Sequence, residues 1–375
     1  SAYHMPVSLL LEGSLNIALL EESLDIIIKR HEALHTIYNV IGGVPYQKVV
    51  YNYSSVFDYA DVSLSTDSDN AARELIKDKL IKPFNLEADI PVRTGLIKLG
   101  DNKHILLLVI HHIAGDGIPI GIILNELSEL YNGKFNGKHP ELPPLRIQYK
   151  DYCEYEKSVI ESNKYTAEKQ YWLNKLQAPL PVLELPSDRP RPPLKTYSGS
   201  YLFYDIDSDI FNDIIVFCKT QNISVFIFFV SVINILLHKY SSQEDIIVGS
   251  PVAGRNHQEL ENQVGLYLNT VAVRNEVKSG ILISDFLKQV KICTTEAVTN
   301  SNFPFDKLIE ILSPERDTSR TPLFDVLVQL QDTPTLSLDN IKTSFYEAEF
   351  KVNKFDLTFT FAESKQDISF TIGYK

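Results

Sequence analysis

The chain is read outward from His104–Tyr131, HILLLVIHHIAGDGIPIGIILNELSELY. It opens with a saturated aliphatic run, Ile105 to Ile110. Such a run reads as a strand covered on both faces. The run stops at His111 and His112, and Gly115, Asp116 and Gly117 then turn the chain sharply. Pro119 suits the first turn of a helix, and Ile120, Ile123, Leu124, Leu127 and Leu130 recur at helical spacing. Two imidazoles, a carboxylate and two glycines therefore meet where a buried strand gives way to a helix N-terminus.

Neighbouring residues on a strand point to opposite faces, so the two histidines are expected to have different jobs. An imidazole titrates near neutral pH and suits general-base work. Asp116 is placed to cap the helix or to pair with an arginine. Gly117 lets backbone approach a ligand and brings an N–H to the positive end of a helix. Taken singly, each histidine reads as a hydrogen-bonded core residue and Asp116 as a helix cap. Taken together, at the open end of a buried strand, they favour a site.

The pattern HHxxxDG, intact from His111 to Gly117, resembles the signature of condensation domains of nonribosomal peptide synthetases; the wider superfamily, with chloramphenicol acetyltransferase, shares HxxxD. Further stretches resemble the family's other motifs, in the family's order. RHEALHTIY, Arg30 to Tyr38, is similar to RHExLRT, with His35 where the family has its second arginine. QYKDYCEYE, Gln148 to Glu156, resembles the fourth motif, and VGLYLNTVAVR, Val264 to Arg274, the fifth, with Asn269 and Thr270 matching. SNFPFDKLIE, Ser301 to Glu310, resembles the sixth, and RDTSRTPLFDV, Arg316 to Val326, matches RDxSRxPL of the seventh. PFNLEADIPVRTGLIKL, Pro83 to Leu99, is similar to the family's PFDL segment. The first family motif has no counterpart, and the pattern stops within the second lobe. The resemblance therefore implies a domain truncated at both ends, inside a longer synthetase.

Composition bounds the partners. With 375 residues, 44% hydrophobic and 22% charged, the chain can build two sizeable cores. A net charge of −12 argues against nucleic acid. No apolar run approaches a membrane span and no secretory signal opens the chain. Cys153, Cys218 and Cys293 are widely spaced and show no metal spacing, so reduced thiols in a cytoplasmic protein and no metal site are expected.

Along the chain, strands are expected near residues 3–11, in a hairpin around Gly42-Gly43, before and after Asp101-Asn102, and near 201–206, 245–252, 264–274, 326, 345, 355 and 368. Helices are expected over 17–33, 71–81, 119–131, around 149–156 and Trp172, and over 208–220, 225–240 and 286–298. Val225 to Leu237 is apolar on nearly all sides and reads as a buried core helix. Residues 178–200 carry six prolines with Arg189 and Arg191, a stiff extended connection. The expected organisation is a first lobe over 1–177, this connection over 178–200, and a second lobe over 201–375, incomplete at its C-terminus.

The resemblance implies an α/β fold of the α+β type: two chloramphenicol acetyltransferase-like lobes as a V-shaped pseudo-dimer with a central tunnel. It implies peptide-bond formation between an upstream acyl or peptidyl thioester and the amine of a downstream aminoacyl thioester. Both would ride on phosphopantetheine arms of peptidyl carrier proteins, beside an adenylation domain, and the domain itself would bind no cofactor. His112 is expected to accept a proton or hold the amine, and the Gly117 N–H to stabilise the oxyanion. His111 and Asp116 are expected to support the turn. In the family an arginine holds the motif aspartate, and with His35 in the second-arginine position Arg30 or Arg93 is expected to serve. Asn269 either orients a substrate carbonyl or closes its own turn. Alternatives are a non-catalytic scaffold or recruitment domain, an epimerisation domain, and a free-standing acyltransferase.

Overall fold

Aliphatic runs, capping residues and glycine turns set the elements. A computed structural model describes residues 3–313, 317–347, 352–363 and 368–375. The chain begins β1 (His4–Gly13), α1 (Ile17–Arg30), β2 (Thr36–Ile41), β3 (Val44–Val49), β4 (Phe57–Asp61) and α2 (Ser68–Ile81). It continues β5 (Val92–Gly100), β6 (Lys103–His111), α3 (Gly117–Phe135), α4 (Tyr149–Glu161) and α5 (Thr166–Lys175). After the proline-rich stretch come β7 (Ser200–Ile206), α6 (Ser208–Gln221), α7 (Val225–Ser241), β8 (Asp245–Val252), β9 (Asn269–Glu276), α8 (Ile283–Thr299) and α9 (Phe305–Leu312). β10 (Val326–Asp332), β11 (Ile341–Phe345), β12 (Leu357–Glu363) and β13 (Ile368–Tyr374) close the chain. Arg316, the first residue of the RDTSRTPL motif, lies outside the described residues.

Local chemistry explains the boundaries. Asn16, Asp67 and Ser224 each accept a backbone N–H of the helix that follows them. Gly42 and Gly43 have φ of 59° and 82°, the left-handed pair of a two-residue hairpin turn between β2 and β3.

The chain forms two compact units. Unit 1 comprises Ser1–Ser158, Arg255–Tyr267 and Pro334–Phe350. Its sheet runs β11-β1-β6-β5-β4, antiparallel except for the parallel pair β4–β5. Ile105 to Ile110 of β6 are all buried, one alternate set against α1 and α3 and the other against α2. Burying each such side chain contributes about 1.5–3 kcal/mol, which makes β6 the sheet's fixed member.

Unit 2 comprises Val159–Gly254, Leu268–Thr333 and Lys351–Lys375. Its sheet runs β7-β13-β12-β10-β8-β9. The expected core helix is α7, but only on part of its circumference: Ile227, Val230, Ile233 and Leu237 are buried, whereas Val232, Leu236 and Tyr240 face outward. Among the described residues no single helix is long and apolar enough to cross a membrane; α6 and α7 meet that test only as a pair bent by 100°.

The two units differ from a cut at the proline-rich stretch in three places. The boundary falls inside α4, so α5 belongs to unit 2: Trp172 is buried in that core and its indole N–H donates to the Asn300 carbonyl at 2.9 Å. Residues 255–267 belong to unit 1 because Val264 is buried in the unit 1 core and the Gln263 amide donates to the Ile147 carbonyl. Residues 334–350 belong there too, because β11 pairs with β1 from Leu9↔Phe345 to Gly13↔Ile341.

Gly249 on β8 tests the unit 2 core. A Cβ there would lie 2.0 Å from Cε2 of the buried Phe324 ring. Gly249→Ala is therefore expected to destabilise unit 2 by about 1–3 kcal/mol through overpacking. A urea titration followed by Trp172 fluorescence reads this, and an unchanged midpoint would refute the packing argument.

Candidate active site

The strand that carries the two histidines ends one residue sooner than alternation requires. β6 stops at His111, and His112–Ala114 form a single 3-10 turn. The imidazoles are thus separated by a change of backbone class rather than by the two faces of one strand. His111 Nδ1 accepts the Ile113 N–H at 3.1 Å, which caps the turn. That nitrogen must be unprotonated, as befits a supporting residue. The His112 N–H donates to the Tyr3 carbonyl at 2.8 Å, and its carbonyl accepts the Gly115 N–H at 3.4 Å. His112 is held by its backbone while the residue stays partly exposed.

Gly115 is extended, and a Cβ there would meet Pro119 at 2.9 Å. A small residue lets the turn close onto the first turn of α3. Asp116 is 1% exposed and caps α3: Oδ1 accepts the Ile118 N–H at 3.0 Å and Oδ2 accepts the Tyr267 N–H at 3.3 Å. One carboxylate thus joins the helix start to residues 255–267.

The arginines expected beside Asp116 bond elsewhere. Arg30 Nε donates to Glu126 Oε1 of α3 at 2.9 Å and a guanidinium N–H reaches the Pro143 carbonyl. His31 Nε2 shares the same carboxylate at 2.9 Å, and its Nδ1 accepts the Val264 N–H at 3.4 Å. Arg30 therefore anchors α3 through Glu126 and not through Asp116. Arg93 donates to the carbonyls of Lys82 and Pro83, both at 2.7 Å.

A guanidinium that feels Asp116 is that of Arg255, in the polar stretch after β8. Burial pulls its pKa below the usual guanidinium range, against the opposing pull of the Asp116 carboxylate. It lies 4.4 Å from the centroid of the Tyr267 ring and donates to the carbonyls of Leu260 and Gln263. The 255–267 segment is fixed further by Gly265, where a Cβ would meet Tyr149 at 2.5 Å, and by the Tyr149 hydroxyl donating to the Leu266 carbonyl at 3.1 Å. Tyr149 and Tyr152 pack against Tyr267 at 5.3 and 4.7 Å, which makes the aromatic stripe of the fourth motif a packing feature. A charged residue just after a buried strand is the only signal in the sequence that points to Arg255.

Gly117 is the first residue of α3, so its N–H is among those that a helix leaves without an intrahelical acceptor. A Cβ added there would meet nothing within 4 Å, and its φ lies outside the left-handed region. Nothing among the described residues requires glycine here. Gly117→Ala is expected to leave the melting temperature unchanged, so any loss of turnover would report crowding of a bound ligand. A fall in stability as large as the fall in rate would remove that interpretation.

Asn269 makes the contacts of the second of its two readings. It lies in unit 2, where its amide donates to the carbonyls of Ser301 and Phe303 at 2.7 and 2.8 Å. Its oxygen accepts the N–H groups of Thr270 and Phe305 at 2.8 and 3.1 Å. Both donors and both lone pairs are engaged, so it closes its own turn and has nothing left for a substrate carbonyl.

The condensation-domain family matches residues 1–375, the whole chain. The chain is a condensation domain. Tyrocidine synthase 3 of Brevibacillus parabrevis is 35% identical over all of it, and bacitracin synthase 3 of Bacillus licheniformis 36% identical. The chain spans 6% of the length of each of these relatives. A solved four-domain nonribosomal peptide synthetase bound to AMP and glycine superposes with a TM-score of 0.88 at 21% identity, covering 100% of this chain and 29% of that one. The X-domain in its complex with OxyB from teicoplanin biosynthesis gives 0.86 at 22% identity, covering 99% and 83%. The mixed α/β fold of this condensation domain is therefore that of solved relatives.

Proposed function

We propose that this domain joins an acyl or peptidyl thioester on an upstream carrier to the amine of an aminoacyl thioester on a downstream carrier. The observation that supports this most is the His111–Gly117 turn itself. In it Asp116 caps α3, Arg255 feels that carboxylate, His112 is partly exposed and Gly117 opens the helix. The neutral amine attacks the thioester carbonyl, the new C–N bond forms and the C–S bond breaks. His112 holds the amine and takes its proton, which passes to the departing thiolate. The Gly117 N–H donates to the oxygen that becomes negative in the tetrahedral intermediate. A thioester is already activated, so aligning two tethered reactants supplies much of the rate. The arms and their carriers are substrates in this reading, and an adenylation domain is the expected neighbour.

Likeness to the X-domain supports the fold and does not choose between catalysis and recruitment. The intact histidine, aspartate and glycine of the motif support catalysis as the first reading. The test is the full-length protein with carriers loaded from a panel of acyl- and aminoacyl-coenzyme A, read by mass spectrometry in deuterated water. Amide on the downstream carrier is expected. Deuterium at the donor α-carbon without amide would replace this reading with epimerisation. Neither product from verified loaded carriers would replace it with recruitment.

A further inference from the structure

The wall behind His111 is built from residues that the reaction scheme does not use. His111 ends β6 opposite His4 of β1. Around its ring stand Tyr3 at 6.1 Å, His4 at 6.1 Å and Phe84 at 5.8 Å, the last at 83°. Phe84 also meets His4 at 5.1 Å and 87°, so one phenyl ring stands at right angles to two imidazoles. Arg93 covers that phenyl ring, with its guanidinium carbon 3.7 Å from the centroid. The same guanidinium holds the carbonyls of Lys82 and Pro83, which fixes the backbone that carries Phe84. Asp89 lies 3.8 Å from Arg93. The His4 Nδ1–H donates to the Leu80 carbonyl at 2.7 Å, and burial holds its pKa below the ordinary histidine value.

These contacts bear on one bond. The Ile113 N–H reaches His111 Nδ1 only while that nitrogen keeps its lone pair, and the bond caps the turn that begins at His112. Tyr3 just before β1, His4 of β1, Phe84 of the segment after α2, and Arg93 of β5 behind it surround the ring. The Arg93 cation behind Phe84 disfavours a second positive charge on His111, an effect that Asp89, 3.8 Å from the guanidinium, offsets in part. The cation–π contact and the two carbonyl bonds keep Phe84 from swinging away.

We infer that Phe84 and Arg93 are positioning residues, which hold the imidazole of His111 and through it the His112 turn for amide formation. This rests on the catalytic reading above. The test compares Phe84→Leu, Arg93→Met and Arg93→Lys with the wild type in the full-length protein on loaded carriers. Turnover is expected to fall about tenfold in the first two, since small misplacements of a reacting group are costly. The KM for the acceptor carrier should stay unchanged. In Arg93→Met the acidic limb of the turnover–pH profile should move to higher pH, because His111 accepts a proton more readily once the cation is gone. Arg93→Lys should restore that limb but not the turnover, since an ammonium does not reproduce a planar fork across two carbonyls. Wild-type turnover and an unmoved limb in Arg93→Met and Phe84→Leu overturn the inference, as does a lower melting temperature with an unmoved limb. His112→Ala separates the two ideas. If it keeps full activity the catalytic reading fails; if it is inactive while the other variants behave as wild type, only the positioning role fails.

Discussion

His112→Ala is expected to slow amide formation by about 10²–10⁴-fold, the range that a positioned proton acceptor commonly supplies. The variant should fold. His112 is partly exposed, and its two described backbone bonds, to Tyr3 and from Gly115, survive loss of the ring. What remains should be catalysis by proximity, because the two tethered reactants still meet. Single-turnover transfer between loaded carriers measures the chemical step without product release. Wild-type transfer in His112→Ala would remove this residue from the mechanism, whatever its motif position.

Asp116→Ala should give the largest loss of stability at the site, more than a helix cap alone costs, because the carboxylate that opposes the burial of Arg255 goes with it. Two losses combine. The cap of α3 goes, at about 1 kcal/mol. Arg255 then keeps its burial without the carboxylate that opposes it; its Nε and Nη2 are already buried without a hydrogen-bond partner among the described residues. Asp116→Asn separates the two, since asparagine caps a helix as well as aspartate but carries no charge. It should therefore recover the smaller part only. Asp116→Ala with Arg255→Met should be more stable than Asp116→Ala alone, because no charge is then left buried. Hydrogen exchange of the α3 amides, which report unit 1 directly, gives the ranking. Equal protection in Asp116→Ala and Asp116→Asn would show that Arg255 does not depend on the charge.

The turn at His111–Gly117 was legible because its parts are local. A saturated strand, a glycine-flanked aspartate and a proline in the first helical turn each leave a mark over a few residues. Asp116 as a helix cap and the Gly42-Gly43 hairpin follow from the same short-range chemistry. What was not legible depends on contacts across many residues. Arg30 looked like the partner of Asp116 on motif position, yet Glu126 on α3 lies closer in the fold and takes both Arg30 and His31. Arg255 sits in a stretch whose composition says only loop. Asn269 left two readings open, and four hydrogen bonds to neighbours chose between them. The pairing of β11 with β1 joins residues more than three hundred positions apart and has no sequence period to betray it.

That pairing bears on how such domains can be re-engineered. A chimera spliced within residues 178–200 would import the foreign partner's outermost strand and the guanidinium that feels Asp116 together with its second half. The recipient's β1 would then have to zip, from Leu9 to Gly13, onto a stranger's backbone. Grafts that transplant residues 255–267 and 334–350 along with the first half keep the hydrogen-bond ladder native and leave Arg255 with its own Asp116, and should be the ones that survive.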